Sequence, residues 1–512
     1  MLKNKLRSLC FIVPLFIFYI IIIFRVFSLT FHHPATLENS GRSNTIYKQP
    51  DILDRNGVVI ATNVPTTSLY IDPTRIKNPQ STAEQLCSIF HDLEYDNVYK
   101  LLTSKRKFAW IKRHLTPKES LAIKSTGVPG INFYNDVKRI YPYSNLFAHV
   151  LGYTDIDGNG IAGIEAYISK NQEQKPLKLS LDLRIQNVIH DELTKAIDKY
   201  HALGGIGIFL DVKNSEVISM VSLPDFNPNV MSQATDVQKF NRATLGVYEM
   251  GSVLKFFTIA AALDANVITV NDIYNVSKPI TIGKYKIYDF HKSKIANITV
   301  QDIFVKSSNI GAAKIALDLG IEQQVEYFKA MKFFSPLKIE IPEKSMPIIP
   351  NKWSESTLIT ASYGYGIATT PMHIAQTAAA LVNDGIFHNA TLILDKKSIG
   401  EQIVTRKTSS EITKLLRMAV TNGTGKRANI KAYAIGGKTG SAEKVVNGQY
   451  NKNANIVSFI GVLTTLHPRY IILIAIDEPQ GLSSHTGGVI AAPVVKNIIN
   501  RVASILNIVP EM

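Results

Sequence analysis

In this 512-residue chain the residues best placed to do chemistry are Ser252 and Lys255. They lie in Tyr248-Glu249-Met250-Gly251-Ser252-Val253-Leu254-Lys255, ahead of an apolar, helix-forming run from Phe256 to Leu263. Gly251 breaks regular structure, so the spacing predicts Ser252 at the start of a helix and Lys255 one turn later on the same face. A serine hydroxyl needs a neighbouring base to act as a nucleophile. An amine can be that base once burial and the positive end of a helix lower its pKa. The same helix end favours the negative charge that develops during attack on a carbonyl.

Ser-x-x-Lys spacing by itself says little, and it recurs at Ser104/Lys107, Ser335/Lys338 and Ser441/Lys444. Context separates them. Lys105 to Lys107 is a charged run that reads as a solvated face, Pro336 follows Ser335 directly, and Ser441 belongs to another pattern. Two further elements stand downstream of Ser252. Ser307-Ser308-Asn309 lies between helix-like Val300 to Val305 and the apolar Ile310 to Leu319; alone it would be a polar turn between helices. Lys438-Thr439-Gly440-Ser441 follows Gly436-Gly437 on a strand-like run. Glycines on both sides of Lys438-Thr439 suit a strand that a substrate backbone approaches closely. Lys407-Thr408-Ser409, in a polar stretch before a helix, is a decoy for this element.

These residues need a framework, and the chain is long enough for two or three domains. Apolar residues make up 46% and charged residues 19%, as in an ordinary folded protein. The net charge of +15 is spread along the chain, with no zinc spacing, RNA-binding signature or basic helix, so no nucleic-acid partner is expected. Cys10 and Cys87 are the two cysteines, and they supply neither a disulfide framework nor a thiolate metal site. Lys3, Lys5 and Arg7 precede an apolar run from Leu9 to Phe24 that resumes after Arg25 to Leu29. As a helix, its first part would span about 24 Å. No small-residue cleavage site follows, so residues 9–29 are expected to be an uncleaved signal anchor, with residues 1–8 cytoplasmic and the rest facing outward.

Asp51 to Ile60 reads as strand, Asn-Gly turn, strand. Helices are expected at Thr82 to Leu93 and Thr116 to Lys124, the second with a Thr116/Glu119 capping box. From about Lys178 the character changes. Asp182 can cap an amphipathic helix, and Gly205 to Val212 and Glu216 to Val221 read as a hairpin. Ala434 to Val446, Asn455 to Leu463 and Arg469 to Asp477 read as antiparallel strands with short connections, before a final helix at about Pro493 to Leu506. Helices with an antiparallel sheet give an α/β (α+β) domain.

Taken in order, the three elements resemble the set shared by penicillin-binding proteins and serine β-lactamases. The resemblance extends over almost the whole chain to class B penicillin-binding proteins, and most closely to the division-specific (septal) peptidoglycan transpeptidase. It is carried also by Asp54-Arg55-Asn56-Gly57, Trp110-Ile111-Lys112-Arg113, Arg139-Ile140-Tyr141-Pro142 and Gly160 to Glu165. Further on it is carried by Tyr363-Gly364-Tyr365-Gly366-Ile367, Asn422-Gly423-Thr424-Gly425 and Ala491-Ala492-Pro493. One departure stands at Gln49-Pro50, where the family often has Arg-Gly. The resemblance implies a pedestal of the dimerisation type over residues 30–175 and a transpeptidase domain over 176–512.

It also implies a mechanism. Ser252 attacks the carbonyl between the last two D-alanines of a peptidoglycan stem peptide, and Lys255 takes its proton. Ser307 and Lys438 carry a proton to the leaving amine, and Asn309 orients the substrate and Lys255. Thr439 and Ser441, beside Gly440, hold the terminal carboxylate, and the backbone N–H groups of Ser252 and Ser441 form the oxyanion hole. No cofactor or metal is implied. β-Lactams would trap Ser252. The inner membrane, a membrane glycan polymerase and other division proteins are the implied partners, with the catalytic domain periplasmic. An elongation-type transpeptidase, a membrane-anchored serine β-lactamase and a non-catalytic division scaffold are the competing readings.

Overall fold

The computed structural model describes residue 20 and residues 49–510, except 284, 291–294 and 482–484. The anchor expected at residues 9–29 therefore lies outside the described residues but for Ile20. Among the described residues no helix is long and apolar enough to cross a membrane. Lys48–Met512 form one compact unit.

The first part of this unit is a small sheet with helices on one face. β1 (Ile52–Leu53) turns through Asn56-Gly57 into β2 (Val59–Ile71), as the sequence predicts. The Asp54 carboxylate holds that turn by accepting from the N–H groups of Asn56 and Val58, both at 2.8 Å. α1 (Pro79–Ile89) starts earlier than the expected Thr82, because Asn78 caps Ser81 N and Pro79 fits the first turn. It also stops short of Leu93, since Phe90 leaves helical geometry. α2 (Tyr95–Leu102), β3 (Ala109–Leu115), α3 (Pro117–Lys124) and β4 (Ile131–Ile140) follow. Both bonds of the Thr116/Glu119 capping box are present. β2 pairs antiparallel with β3 and β4 and packs Leu69 and Ile71 against Leu86, Phe90 and Val98.

α4 (Gly163–Asn171) presents the buried Glu165 to the buried Arg139, whose Nε donates at 2.7 Å. Gln49, one half of the departure from the family pattern, is tied inside this region: its Nε2 donates to the Gly158 carbonyl at 3.2 Å and its own carbonyl accepts from Asn63 and Arg139. β5 (Leu177–Lys178) then runs parallel to β1. Arg55 Nη2 reaches Glu216 at 3.1 Å and Asn56 Nδ2 reaches Asp182 at 3.1 Å, joining this part to the next.

The larger part is built on α5 (Leu183–Tyr200), β6 (Gly204–Asp211), β7 (Val217–Leu223), α6 (Leu254–Asp264), α7 (Val300–Lys306) and α8 (Asn309–Leu319). It continues through α9 (Pro371–Leu381), α10 (Arg406–Thr421), β8 (Gly436–Val446), β9 (Gln449–Leu463), β10 (Tyr470–Asp477) and α11 (Ala491–Ile505). The five strands form an antiparallel sheet in the order β8-β9-β10-β6-β7. Both faces are covered, which is why β6 and β10 read as unbroken apolar runs rather than alternating ones. Ile471, Leu473 and Ala475 of β10 join the core built on α6 and α9. Ile472, Ile474 and Ile476 join the core under α5 and α11. This order leaves β8 at the edge, and among the described residues no strand pairs with its outer side.

Candidate active site

Ser252 lies in a single 3-10 turn, Gly251–Val253, that runs directly into α6. Gly251 has φ +51°, and a Cβ there would stand 2.2 Å from the Ser441 carbonyl oxygen. A Cβ on Gly440 would stand 2.6 Å from the Met250 carbonyl and 2.4 Å from Ser458 Oγ. The two glycines thus let the nucleophile turn lie directly on β8, with the backbone of Ser441 alongside that of Gly251-Ser252.

α6 is apolar all round and buried, so Lys255 on its first turn is carried into the interior and has 0% exposure. Its Nζ stands 3.0 Å from Ser252 Oγ, 2.7 Å from the Ser307 carbonyl oxygen, 3.1 Å from Ser307 Oγ and 2.7 Å from Asn309 Oδ1. Ser307 ends α7 in the left-handed region, at φ +61°. That conformation is costly for a residue with a Cβ, and here it turns both oxygens of Ser307 toward the amine. Lys438 of β8 is equally buried, and its Nζ donates to Ser307 Oγ at 2.9 Å. Burial, and then the neighbouring charge of Lys438, push the Lys255 amine well below its usual range. Burial alone brings Lys438 down to about 7.

Ser252, Ser307, Asn309, Thr439, Gly440 and Ser441 line one open cleft of about 1010 Å³, and Lys255 and Lys438 lie beneath them. All eight residues singled out by spacing and resemblance therefore meet in one place. The decoys do not. Lys444 is held by Asp477 and Glu478 at 2.9 and 2.6 Å, the Ser335 carbonyl faces His373, and Lys407 is exposed on the first turn of α10.

Other participants carry no motif signal of their own. Thr424 Oγ1 is 2.8 Å from Thr439 Oγ1, the Gly487 N–H donates to Ser441 Oγ at 3.0 Å, and the Tyr288 carbonyl accepts from Asn309 Nδ2 at 2.9 Å. Thr424 stood in a stretch that marked the resemblance without having a role. Glu249 ties the nucleophile segment to the loop after Tyr365 and to the start of β9: its Oε1 accepts from Gly366 N at 2.6 Å and from Tyr450 Oη at 3.1 Å.

Both parts of the chain are similar to known proteins. The penicillin binding protein transpeptidase domain matches residues 205–500, and the penicillin-binding protein dimerisation domain matches residues 50–175. The chain is similar to the probable peptidoglycan D,D-transpeptidase FtsI of Caulobacter vibrioides, with 33% identity over 90% of this chain and 81% of that protein. It is also similar to the probable peptidoglycan D,D-transpeptidase PenA of Neisseria gonorrhoeae, with 32% identity over 90% of this chain and 84% of that one. The peptidoglycan D,D-transpeptidase FtsI of Escherichia coli is 27% identical over the same two shares, 90% and 84%. A solved peptidoglycan synthetase from Bifidobacterium adolescentis has the same fold, with a TM-score of 0.71 at 18% identity, covering 91% of this chain and 96% of that one. With its dimerisation domain ahead of a transpeptidase domain, the chain belongs to the class B penicillin-binding proteins.

Proposed function

We propose that the chain is a peptidoglycan D,D-transpeptidase that cross-links stem peptides at the division septum through an acyl-enzyme on Ser252. The observation that carries this reading is the four-way contact of the Lys255 amine. Two of its neighbours, the Ser307 carbonyl and Asn309 Oδ1, can only accept. A neutral amine that donates both hydrogens to them keeps its lone pair for the Ser252 hydroxyl, 3.0 Å away. Ser252 Oγ then attacks the penultimate D-alanine carbonyl while its proton passes to Nζ. The resulting oxyanion is met by the backbone N–H groups of Ser252 and Ser441. The C–N bond breaks, and the leaving D-alanine amine takes its proton along the Lys255–Ser307–Lys438 chain of contacts. An amine of a second stem then attacks the ester, forms the cross-link and restores the Ser252 hydroxyl. Thr439, Ser441 and the charged form of Lys438 hold the terminal carboxylate.

In this proposal residues 9–29 anchor the chain in the inner membrane, with residues 1–8 cytoplasmic. Residues 30–175 form a pedestal in the periplasm that meets a glycan polymerase and other division proteins. Residues 176–512 carry the reaction. The similarity to proteins named for FtsI supports the division role over the elongation role.

A transpeptidase and a β-lactamase differ in what water does to the acyl-enzyme. Fluorescent penicillin is expected to label the chain and to stay bound after excess drug is removed; release within seconds would favour the β-lactamase reading. The two lowered lysines also fix a pH dependence. Lys255 must be neutral, so acylation falls in acid as it takes up a proton. Lys438 loses its charge as pH rises through about 7, and its hold on the substrate carboxylate weakens. For a D-Ala-D-Ala peptide, kcat/KM is therefore expected to decline above about 7 mainly through KM. A kcat/KM that keeps climbing well above that pH contradicts this role for Lys438.

A further inference from the structure

Asn309 meets Lys255 with the oxygen of its amide, and residues outside the three motifs decide that orientation. Asn309 Nδ2 donates to the Tyr288 carbonyl at 2.9 Å, leaving Oδ1 to face the amine at 2.7 Å. The reverse orientation would set N–H groups against a nitrogen that must donate, and would lose both bonds. The next residue, Asp289, spreads its carboxylate over the start of α8. Its Oδ2 accepts from Ser308 Oγ at 2.7 Å and its Oδ1 from the Ile310 N–H at 3.0 Å. Ser308 Oγ in turn caps α8 by accepting from Gly311 N at 2.9 Å. Two consecutive residues thus hold the Asn309 side chain and the residues on either side of it.

The geometry points to Asp289 as a positioning residue for acyl transfer: it holds the Ser308-Asn309-Ile310 turn so that Asn309 presents an acceptor, rather than a donor, to Lys255. It does so across 20 residues of sequence, from a segment that belongs to none of the three elements. Its charge has a second consequence. The charged groups that bear on the Lys255 amine are Lys438, on β8, which disfavours protonation, and Asp289, which favours it. Asp289 therefore trades some basicity control for geometry, and the two effects separate by substitution.

The inference rests on the acylation reading above, and the test distinguishes the two. The second-order rate of acylation of the full chain by fluorescent penicillin is measured against pH for the wild type, Asp289→Ala and Asp289→Asn. Asp289→Ala removes both acceptors and is expected to slow acylation about 10- to 100-fold at neutral pH, because a misplaced catalytic group costs that much without touching the bonds being made. Asp289→Asn keeps an acceptor for Ile310 N–H and a donor for Ser308 Oγ, so most of the rate returns. It lacks the negative charge, so Lys255 stays neutral to lower pH and the acidic limb moves downward. A residue that only filled space, with no charge bearing on the amine, would not move that limb. An Asp289→Ala rate within about two-fold of wild type, or an unmoved limb in Asp289→Asn, overturns the inference. If the alanine variant does not fold, the limb of the asparagine variant decides alone. A wild-type chain that takes no label defeats the acylation reading itself, whereas a labelled wild type with unaffected Asp289 variants defeats only this step.

Discussion

Replacing Ser252 with alanine is expected to leave a folded chain that takes up no fluorescent penicillin and forms no cross-link. The residue is half-exposed on a turn whose shape is set by Gly251 and β8, not by the serine hydroxyl, so its loss should spare the melting transition. The cleft does hold a second hydroxyl close to both lysines. Ser307 Oγ is 3.1 Å from Lys255 Nζ and 2.9 Å from Lys438 Nζ. It cannot stand in for Ser252. It sits between the end of α7 and the cap of α8, whereas the backbone N–H groups proposed to meet the oxyanion, those of Ser252 and Ser441, lie side by side at the Gly251-Ser252 turn. The loss should therefore be at least about 10⁴-fold in acylation rate. Gel fluorescence after a long incubation checks it, and labelling of the variant near the wild-type level removes Ser252 from its role.

Lys255→Ala should come close to this while leaving Ser252 in place. General-base assistance is worth about 10² to 10⁴ in rate, and the other amine, Lys438, contacts Ser307 rather than Ser252. Lys255→Arg makes the sharper comparison. Arginine keeps a positive charge and can donate to the Ser307 carbonyl and Asn309, but it stays protonated throughout the accessible pH range. If Lys255 served only to attract a carboxylate, arginine would restore activity. If it is the base, arginine should be as slow as alanine at every pH. Stopped-flow acylation by a chromogenic cephalosporin distinguishes the two, and substantial rescue by arginine would contradict the base role.

Much of the site was legible because its chemistry is written in short spacings. Ser252 and Lys255 are one helical turn apart, and Lys438 to Ser441 lie on one strand, so local geometry already relates them. The decoys could be set aside because their surroundings were charged, proline-bound or part of another pattern. Asp289, Tyr288 and Gly487 could not be found in this way. Each reaches the cleft through tertiary folding, and each uses a carboxylate or a backbone group common elsewhere in the chain. The fold shows the same division. The hairpin at Asn56-Gly57, the capping box of α3 and the cap at Asp182 are local signals, and the structure has all three. β9 begins at Gln449 rather than near Asn455, and its first five residues, exposed and polar apart from Tyr450, gave no apolar pattern to read. They are strand because β8 pairs with them beyond a bulge at Glu443/Lys444. That pairing brings Tyr450 to Glu249, beside the nucleophile segment.

The most direct test of the central claim uses a substrate rather than a drug. The chain is mixed with a peptide ending in D-Ala-D-Ala, quenched in acid within the first turnover and digested, and the fragments are weighed. The account predicts release of one D-alanine per chain, with the remaining acyl group on the fragment that contains Ser252. Release of D-alanine with the acyl group on another residue, or with no acyl group on the chain at any time, would contradict it.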